Sequence, residues 1–545
     1  MSEAGSTARD GRDRAGAAAP SSTWRPFRYS AFTVLWTATV VSNIGTWMHE
    51  VGAGWLMTSL APSPFMVALV QGATTLPIFL LALPAGALAD IIDRRKVLLA
   101  VTLFLTVVAA ALGGLVWLGL VTPWVLLVFT FVMGAGAAFA APAWQAIVPT
   151  LVPRADLQPA VALNSLGINI SRAIGPALGG LIIATLGIAV PFLLNAVSFL
   201  GVIAALLWWK PPVAPARRLP AERFASAIRT GLRYARASGP LRATLGRAVA
   251  FFLFASAYWA LLPLIARGLL GGGPELYGIL LGCVGAGAVG GALFLPKLKA
   301  LLGPDRLVAV GTLGMALVLV VLATIANDYA AAAVSLLAGA SWIAVLSSLN
   351  VSAQVALPEW VRARGLSIFL TVFFGAMSAG SVAWGRMAEA LGIPLTLLAA
   401  AAGAVLAIGL SWRWKLGEGA ALDLSPSLHW PAPMAAGEVE PDRGPVMVTV
   451  EYRIDPRERE AFLAAIAAFG PERRRDGAFA WGIFEDAAEE GRFIETFMVE
   501  SWIEHLRQHE RVTDADRMLQ EAVQRFHAGG KPTVTHLIAA ELRAR

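Results

Sequence analysis

The stretch Gly86–Lys96, with the sequence GALADIIDRRK, is a short charged segment between two long apolar runs. Residues 65–89 lead into it and residues 97–120 follow it, and each run holds the roughly 20 apolar residues that cross a bilayer as a helix. Two aspartates and three basic residues therefore collect at one membrane surface. The pattern predicts a tight cytoplasmic turn between two membrane helices.

The composition of the whole chain is that of a polytopic membrane protein. Of its 545 residues, 57% are hydrophobic and only 14% are charged, and the mean hydropathy of +0.66 lies outside the range of soluble domains. The net charge of +7 falls in loops between apolar runs, where it indicates membrane orientation and not a nucleic-acid surface. No Gly-x-x-x-x-Gly-Lys-Ser/Thr sequence occurs, so nucleotide hydrolysis has no visible site.

Apolar runs of spanning length recur in two groups of six, which predicts an all-α membrane protein with 12 transmembrane helices in two six-helix bundles. Lys and Arg concentrate in alternate loops, so these loops and both termini are expected in the cytoplasm. The predicted organisation is a disordered tail (1–26), an N-terminal bundle (27–209), a cytoplasmic central loop (210–247), a C-terminal bundle (248–415), a linker (416–445) and a soluble domain (446–545).

The last hundred residues have the pattern of a soluble α+β domain. Residues 446–453 alternate like a strand, and residues 455–469 have an N-cap and helical apolar spacing. The remaining pattern predicts strands at 479–485, 492–500 and 533–539, and helices at 502–510 and 514–526.

The charged turn carries a family resemblance. It is similar to the loop between helices two and three of major facilitator superfamily transporters, although Ile91 replaces a basic residue and Asp93 a glycine. The resemblance implies that Asp90, Arg94 and Arg95 form a gate that locks the two halves on the cytoplasmic side. A topology signal alone is the alternative. The residues that carry the resemblance are Gly86, Leu88, Ala89, Asp90, Arg94 and Arg95.

Residues 175–180, GPALGG, resemble the fifth-helix motif of the antiporter branch of this superfamily. Proline removes a backbone donor and glycines allow close helix approach, so the segment is expected to form a compliant interface. Helix packing without a mechanistic role is the alternative. The family's proton-coupled drug exporters carry an arginine in helix four where this chain has Thr130. The motif residues are Gly175, Pro176, Gly179 and Gly180.

Ionisable residues within membrane spans are functional candidates because burying their charge is costly. Glu50, about 20 residues into the first helix, is the predicted proton-coupling carboxylate, and Arg172 is its predicted partner or a site for a substrate anion. An interfacial carboxylate and a structural ion pair are the respective alternatives. The polar residues predicted to line a cavity, with interhelical hydrogen bonding as the alternative, are Asn43, Asn164 and Asn169.

Together these resemblances imply a secondary transporter of the exporter branch that includes transmembrane secretion effectors and enterobactin exporters. It is expected in the inner (plasma) membrane, exporting a drug or siderophore-like small molecule by alternating access, as a proton-coupled antiporter. The expected partners are the substrate, the bilayer and protons, with no nucleic acid, cofactor, metal or enzymatic activity.

The order of elements in residues 446–545 resembles the ferredoxin-like, dimeric α+β-barrel domains of the antibiotic-biosynthesis-monooxygenase type. This implies a regulatory module or a dimer formed through the C-terminal domain. A fused oxygenase fed by the transporter and a non-transporting membrane anchor are the alternatives. His505 and His509 lie four residues apart on a predicted helix, and we expect them on a solvated face, because two histidines without further ligands are a weak metal signal.

Overall fold

The computed structural model describes residues 23–210, 224–416, 423–425, 427, 429–430, 433 and 437–540. Most of the predicted tail at 1–26 and part of the predicted linker at 416–445 therefore lie outside the described residues.

Long helices make up most of residues 30–411, and ten of the helices in the described ranges are long and apolar enough to cross a membrane. Helix α1 and the short, polar α7 are not among these ten. The helices are α1 (Ser30–Leu60), α2 (Pro64–Ile91), α3 (Arg94–Trp117), α4 (Pro123–Ile147), α5 (Leu157–Leu186), α6 (Val190–Trp208), α7 (Phe224–Ala237), α8 (Gly239–Leu264), α9 (Pro274–Thr324), α10 (Asp328–Val355), α11 (Arg362–Leu391) and α12 (Ile393–Ser411).

Helix ends follow local sequence signals. Proline stands in the first turn of α2, α4, α6, α8, α9 and α12, where its missing N–H costs no intrahelical hydrogen bond. Asp93 caps α3 by accepting hydrogen bonds from the backbone N–H groups of Arg95 (2.9 Å) and Lys96 (3.2 Å). The charged turn therefore ends one helix and starts the next within three residues.

Helix α9 is long enough to cross a bilayer twice. Its 51 residues correspond to about 76 Å at about 1.5 Å per residue, against a hydrocarbon thickness of about 30 Å. Gly303 interrupts it with a φ of 71°, a left-handed conformation that glycine adopts without steric cost, and Pro304 follows. The two apolar runs in this part of the sequence therefore form two helical segments joined at Gly303.

The helices pack as two halves, α1–α6 and α8–α12, which meet where α5 packs on α9 and α2 packs on α11. The second half has one continuous apolar core, in which the ring of Phe252 lies 4.3 Å from Phe373 and 5.3 Å from Trp342. The first half has separate clusters, one around Phe32 and one around Phe192. Space between these clusters is available for a cavity.

The C-terminal region contains a four-stranded antiparallel sheet with the strand order β2-β3-β1-β4. Its strands begin and end within one residue of the predicted positions, whereas the first helix extends from Arg459 to Arg475 instead of 455–469. The elements are β1 (Val446–Arg453), α13 (Arg459–Arg475), β2 (Phe479–Glu485), β3 (Arg492–Val499), α14 (Trp502–Arg511), α15 (Asp514–Gln524) and β4 (Thr533–Ile538).

One face of this sheet is covered by helices. Alternate residues of β1, from Val446 to Tyr452, are buried, as the two-residue period of a strand requires. The prediction that His505 and His509 lie on a solvated face is wrong for His505, which is 1% exposed. The reason is that α14 buries Trp502, His505 and Gln508 on one side.

Glycine lets α9 and α10 approach to backbone contact. A Cβ on Gly339 would overlap the carbonyl oxygen of Val284, and one on Gly287 would overlap that of Leu336. We predict that Gly339→Ala destabilises the protein by at least about 1–3 kcal/mol, the usual cost of overpacking. Thermal unfolding of the detergent-purified protein measures the effect as a lower midpoint.

Gly290→Ala is the matched control, because Gly290 lies on α9, three residues after Gly287, and has open space where a Cβ would be placed. This variant should unfold at the wild-type temperature or slightly above it, since alanine favours helix. Equal midpoints for Gly339→Ala and Gly290→Ala would contradict the assigned backbone contact.

Candidate transport site

The largest described cavity lies within the first half. It has a volume of about 720 Å³ and is lined by residues of α1–α6 and of the short turn after α4. We call the end of the bundle that carries Arg94–Lys96 the basic end, and the end at which α1 stops at Leu60 the opposite end. The cavity extends from Glu50, within α1, to Pro149 at the basic end. Its volume suits a small-molecule ligand.

A second cavity of about 50 Å³ lies between the halves. It is lined by Trp47 and Glu50 of α1, by α2, and by Trp259 and Tyr277 of the second half. Trp47 and Glu50 line both cavities. Glu50 therefore stands where the large cavity meets the interface that must rearrange if the halves move.

Arg172 lies beside this junction. Its guanidinium carbon is 5.5 Å from the ring centroid of Trp47, and its charge interacts with that of Glu50 without a direct ion pair between the two described side chains. The Arg172 Nε is buried and has no hydrogen-bond partner among the described residues. An unsatisfied buried donor on a cation is costly, so the arrangement favours an additional acceptor at this position.

The helix-five glycines fix the position of Arg172. A Cβ on Gly175 would lie 2.6 Å from the Cβ of Trp47, and one on Gly179 would lie 3.0 Å from the Cα of Met48. On another side of α5, Gly180 meets Gly278, and the carbonyl oxygen of Pro176 lies against the same glycine. The predicted motif therefore packs against α1 and against α9 of the second half.

Hydrogen bonds join the two halves at the opposite end. The Arg267 guanidinium, just after α8, donates to the hydroxyl oxygens of Thr58 (2.8 Å) and Ser59 (2.7 Å) at the end of α1. It also lies 5.7 Å from the ring centroid of Trp55. This contact ties the first helix of one half to the first helix of the other.

A second connection joins α2 and α11 at the same end. The Ser63 hydroxyl donates to the Glu389 carboxylate (2.8 Å), and Glu389 pairs with Arg386 (3.2 Å). The Arg386 guanidinium lies 3.6 Å from the ring centroid of Phe65. The opposite end is therefore held closed by polar contacts between the halves, while the large cavity reaches the basic end.

The predicted gating residues lie at the basic end. Arg94 donates to the Ala146 carbonyl (3.1 Å), and Arg95 donates to the carbonyls of Leu206 (2.7 Å) and Leu207 (3.0 Å). These carbonyls belong to the last turns of α4 and α6, where a cation is favourable to the helix dipole. Both arginines therefore bind within the first half, and the side chain of Asp90 lies outside the described part of the chain.

The predicted cavity asparagines have different surroundings. Asn43 and Asn164 line the large cavity, and the Asn164 side-chain oxygen accepts from the Trp144 indole N–H (3.1 Å). Asn169 is half-buried, donates to the Ser165 carbonyl (2.9 Å) and is not among the lining residues of either described cavity. Thr130, at the position of the family's arginine, lines the cavity and donates to Leu126 (2.8 Å).

The C-terminal region contacts the bundle through α7. Arg229 pairs with Glu500 (2.8 Å), and Arg233 donates to the Gly477 carbonyl (2.9 Å). From the same helix, the buried Tyr234 hydroxyl donates to the Ala356 carbonyl just after α10 (3.0 Å). Helix α7 therefore lies between the sheet-containing region and the basic end of the second half.

Comparison with known proteins accounts for this architecture. Residues 21–544 match the family model described as transmembrane secretion effector, which includes both the helical bundle and the C-terminal region. The chain belongs to this family.

Curated relatives of the chain are transporters, and the matches span about two thirds or less of the length of these relatives. The chain is 26% identical to the Staphyloferrin A transporter of Staphylococcus aureus over 48% of this chain and 65% of that protein. It is 28% identical to the enterobactin exporter EntS of Shigella boydii serotype 18 over 52% of this chain and 68% of that protein. The uncharacterized MFS-type transporter YfiS of Bacillus subtilis is 30% identical over 45% of this chain, and that match spans 59% of its length.

Solved structures of transporters share the fold of the helical part. A bacterial homolog of the human lysosomal transporter Spinster, inward-facing and occupied, matches with a TM-score of 0.58 at 14% identity, over 72% of this chain and 98% of that one. A mutant of the peptide transporter POT matches with a TM-score of 0.59 at 12% identity, over 71% and 95%. The helical part of the chain therefore has the fold of these transporters, and the family to which the chain belongs is part of the major facilitator superfamily.

We predict that Arg267→Gln makes the protein open more often at the opposite end. Hydrogen bonds to charged groups are each worth about 1.5–3 kcal/mol, so losing this contact should raise the open population at least about tenfold. Spin labels at Leu120→Cys and Tyr329→Cys, in a Cys283→Ala background, measure the separation of the halves; both positions are well exposed at this end (62% and 87%).

Lys297→Gln is the control, since it removes the same charge from an exposed position of α9. Its distance distribution should match that of the unmutated background. If the distance distribution of Arg267→Gln is also unchanged, Arg267 does not hold the opposite end closed.

Proposed function

We propose that this protein exports an anionic, siderophore-like small molecule by alternating access, with protons as the coupling ion. The observation that carries the proposal is the placement of Glu50 at the junction of the two cavities, next to Arg172. The functions of two relatives, a staphyloferrin A transporter and an enterobactin exporter, support the substrate class.

The surroundings of Arg172 support an anionic substrate. A guanidinium near an aromatic ring, with a buried Nε that no described residue satisfies, suits a carboxylate or catecholate oxygen. Carboxylate and catecholate oxygens are the atoms that commonly bind iron in iron chelators. The charge of Arg172 also interacts with that of Glu50, so substrate binding at Arg172 and the charge of Glu50 would influence each other.

The closed opposite end and the cavity at the basic end support a cycle in which substrate enters from the basic end. By the positive-inside rule the basic end would be cytoplasmic, and entry from there corresponds to export. The transporter would then release its substrate after the contacts of Arg267 and Glu389 separate. The gating role of Asp90, Arg94 and Arg95 remains a prediction for the step that closes the basic end.

Twelve spans account best for the helical part. This number is the sum of the ten apolar helices, the additional crossing that α9 gains from its break at Gly303, and the 31-residue α1. Polar residues of α1 that line the cavity, such as Ser42 and Glu50, explain why this helix is less apolar than its neighbours. An even number of spans places both termini on the same side of the membrane, which would be the cytoplasm by the positive-inside rule.

We propose a ferredoxin-like fold and a regulatory role for the C-terminal region. The strand order β2-β3-β1-β4 with two helical connections supports the fold, and its contacts with α7 support the role. A fused oxygenase is less favoured, because the Trp481 indole N–H is already bonded to the buried Glu495 (3.0 Å). A dimer formed through this region remains a prediction.

Glu50→Gln should abolish accumulation driven by a pH gradient while leaving substrate binding intact. Glutamine keeps the shape and hydrogen-bonding capacity of the side chain but cannot take up or release a proton. Proteoliposomes with an imposed pH gradient measure uptake of a panel of catecholate and carboxylate siderophores.

Glu275→Gln is the matched control, because Glu275 is an exposed carboxylate in the first turn of α9. Its uptake should equal that of the wild type. Gradient-driven uptake that survives in Glu50→Gln would exclude Glu50 as the coupling residue.

Arg172→Met should weaken siderophore binding. Loss of a charge-assisted hydrogen bond of about 1.5–3 kcal/mol corresponds to a rise in Kd of about 10–150-fold. Tryptophan fluorescence titration of the purified protein measures the Kd.

Arg172→Lys retains the positive charge and should recover part of the affinity, while a lipophilic cation should bind both variants as it binds the wild type. Unchanged siderophore affinity in Arg172→Met would rule out an anion site at Arg172.

A further inference from the structure

Three histidines of the C-terminal region meet beneath α14. His505 and His509 are one helical turn apart on this helix, and His536 lies on the edge strand β4. His536 pairs across the sheet with the buried Val448, so its side chain lies on the face covered by helices. His505 and His509 are separated from His536 by the whole of α15, which is why spacing along the sequence does not reveal the group.

The distances within the group are those of metal ligands. The Nε2 atoms of His505 and His509 are 3.3 Å apart. Two nitrogens that bind one tetrahedral zinc ion at about 2.0–2.1 Å lie about 3.3–3.4 Å from each other. One nitrogen from each of the three histidines lies within 4.8 Å of the other two, and metal binding would bring the His536 nitrogen closer to the pair.

Surrounding groups prepare His505 to act as a ligand. Its Nδ1 lies 3.4 Å from the side-chain oxygen of Gln508, which can only accept a hydrogen bond. This contact places the proton on Nδ1 and leaves the Nε2 lone pair directed toward His509, as in metal sites with an outer hydrogen-bond partner.

From this geometry we infer that His505, His509 and His536 bind one first-row divalent transition-metal ion, with Zn²⁺ as the ion that fits best. Imidazole nitrogens suit zinc, nickel and copper, and three such ligands leave a fourth tetrahedral position for water or another ligand. The site belongs to the C-terminal region and does not depend on the proposed transport function.

The charges near the three histidines are compatible with a bound divalent cation. Arg473 is the cation that acts on His505, and its guanidinium is paired with the buried carboxylate of Glu495 (2.9 and 3.2 Å). Aromatic rings cover the group, with the Trp502 centroid 5.6 Å from His505 and the Trp430 centroid 5.1 Å from His509. Trp430 belongs to the segment before β1, so this segment contributes one wall of the site.

The competing explanation is a hydrogen bond between the two Nε2 atoms with no metal. Metal binding by the untagged full-length protein in detergent distinguishes the two. After removal of bound metal with a chelator, Zn²⁺ is titrated against a chromophoric competitor, and cobalt is substituted to record the absorption bands of a tetrahedral Co²⁺ site. We expect one tightly bound Zn²⁺ per chain and intense Co²⁺ bands.

His509→Gln and His536→Gln should each weaken Zn²⁺ binding more than about 100-fold, beyond the roughly tenfold to 100-fold cost of losing an outer-shell partner. His527→Gln is the matched control. His527 is a histidine of the same region whose Nδ1 accepts from the Arg453 backbone N–H (2.9 Å), and glutamine retains an acceptor. This variant should bind Zn²⁺ as the wild type does.

A wild-type protein that binds no Zn²⁺, or binds it no more tightly than the two ligand variants, would overturn the inference. Circular dichroism and size-exclusion chromatography show whether each variant is folded. If a variant is misfolded, the wild-type stoichiometry and Co²⁺ spectrum decide alone, and a spectrum without tetrahedral bands contradicts the site.

Discussion

Backbone contact between α5 and α9, at Gly180 and Gly278, is the constraint on which the arrangement of the two halves depends. A side chain at either position would overlap the opposite helix, so the closed opposite end requires glycine at both. Because Gly175 and Gly179 also bring α5 against α1, the same helix sets the distance of Arg172 from Trp47 and Glu50. The site therefore changes shape whenever the α5–α9 contact opens.

Most polar side chains in the bundle form their hydrogen bonds within their own helix. Threonine and serine hydroxyls donate to the carbonyl four residues earlier, as Thr312 does to Val308 and Ser381 does to Met377. This matters in a bilayer, where no water can compensate an unpaired group. Buried polar atoms without partners among the described residues include Arg172 Nε, both ring nitrogens of His49 and the Trp259 indole nitrogen. His49 and Trp259 line the two cavities, where a ligand would supply partners.

Local patterns predicted the parts of the structure that local interactions determine. The turn at Gly86–Lys96 and the strands of the C-terminal sheet follow from the hydrophobic period and from the signals at element ends. The continuation of α9 between its two apolar runs was not predicted. Charged residues between apolar runs, such as Lys297, are typical of a loop between two membrane helices, but they are also compatible with a continuous helix. The contacts of Arg267 with Thr58 and of His505 with His536 join distant segments, and no local pattern encodes them.

Helix α7 gives the C-terminal region a physical connection to the transport cycle. It follows α6 and precedes α8, so it lies in the segment that joins the two halves. Tyr234 fixes α7 to the second half through a buried hydrogen bond to Ala356, whereas its link to the C-terminal region includes the more exposed Arg229–Glu500 pair. Exposed ion pairs contribute only about 0–1 kcal/mol, so the link depends mainly on other contacts. Arg233 donates to the Gly477 carbonyl (2.9 Å), and the Arg511 guanidinium lies 4.7 Å from the ring centroid of Trp360, just before α11. The C-terminal region should therefore move with the second half while the first half moves relative to both, and ligands that alter its contact with α7 would act on the basic end of the transporter.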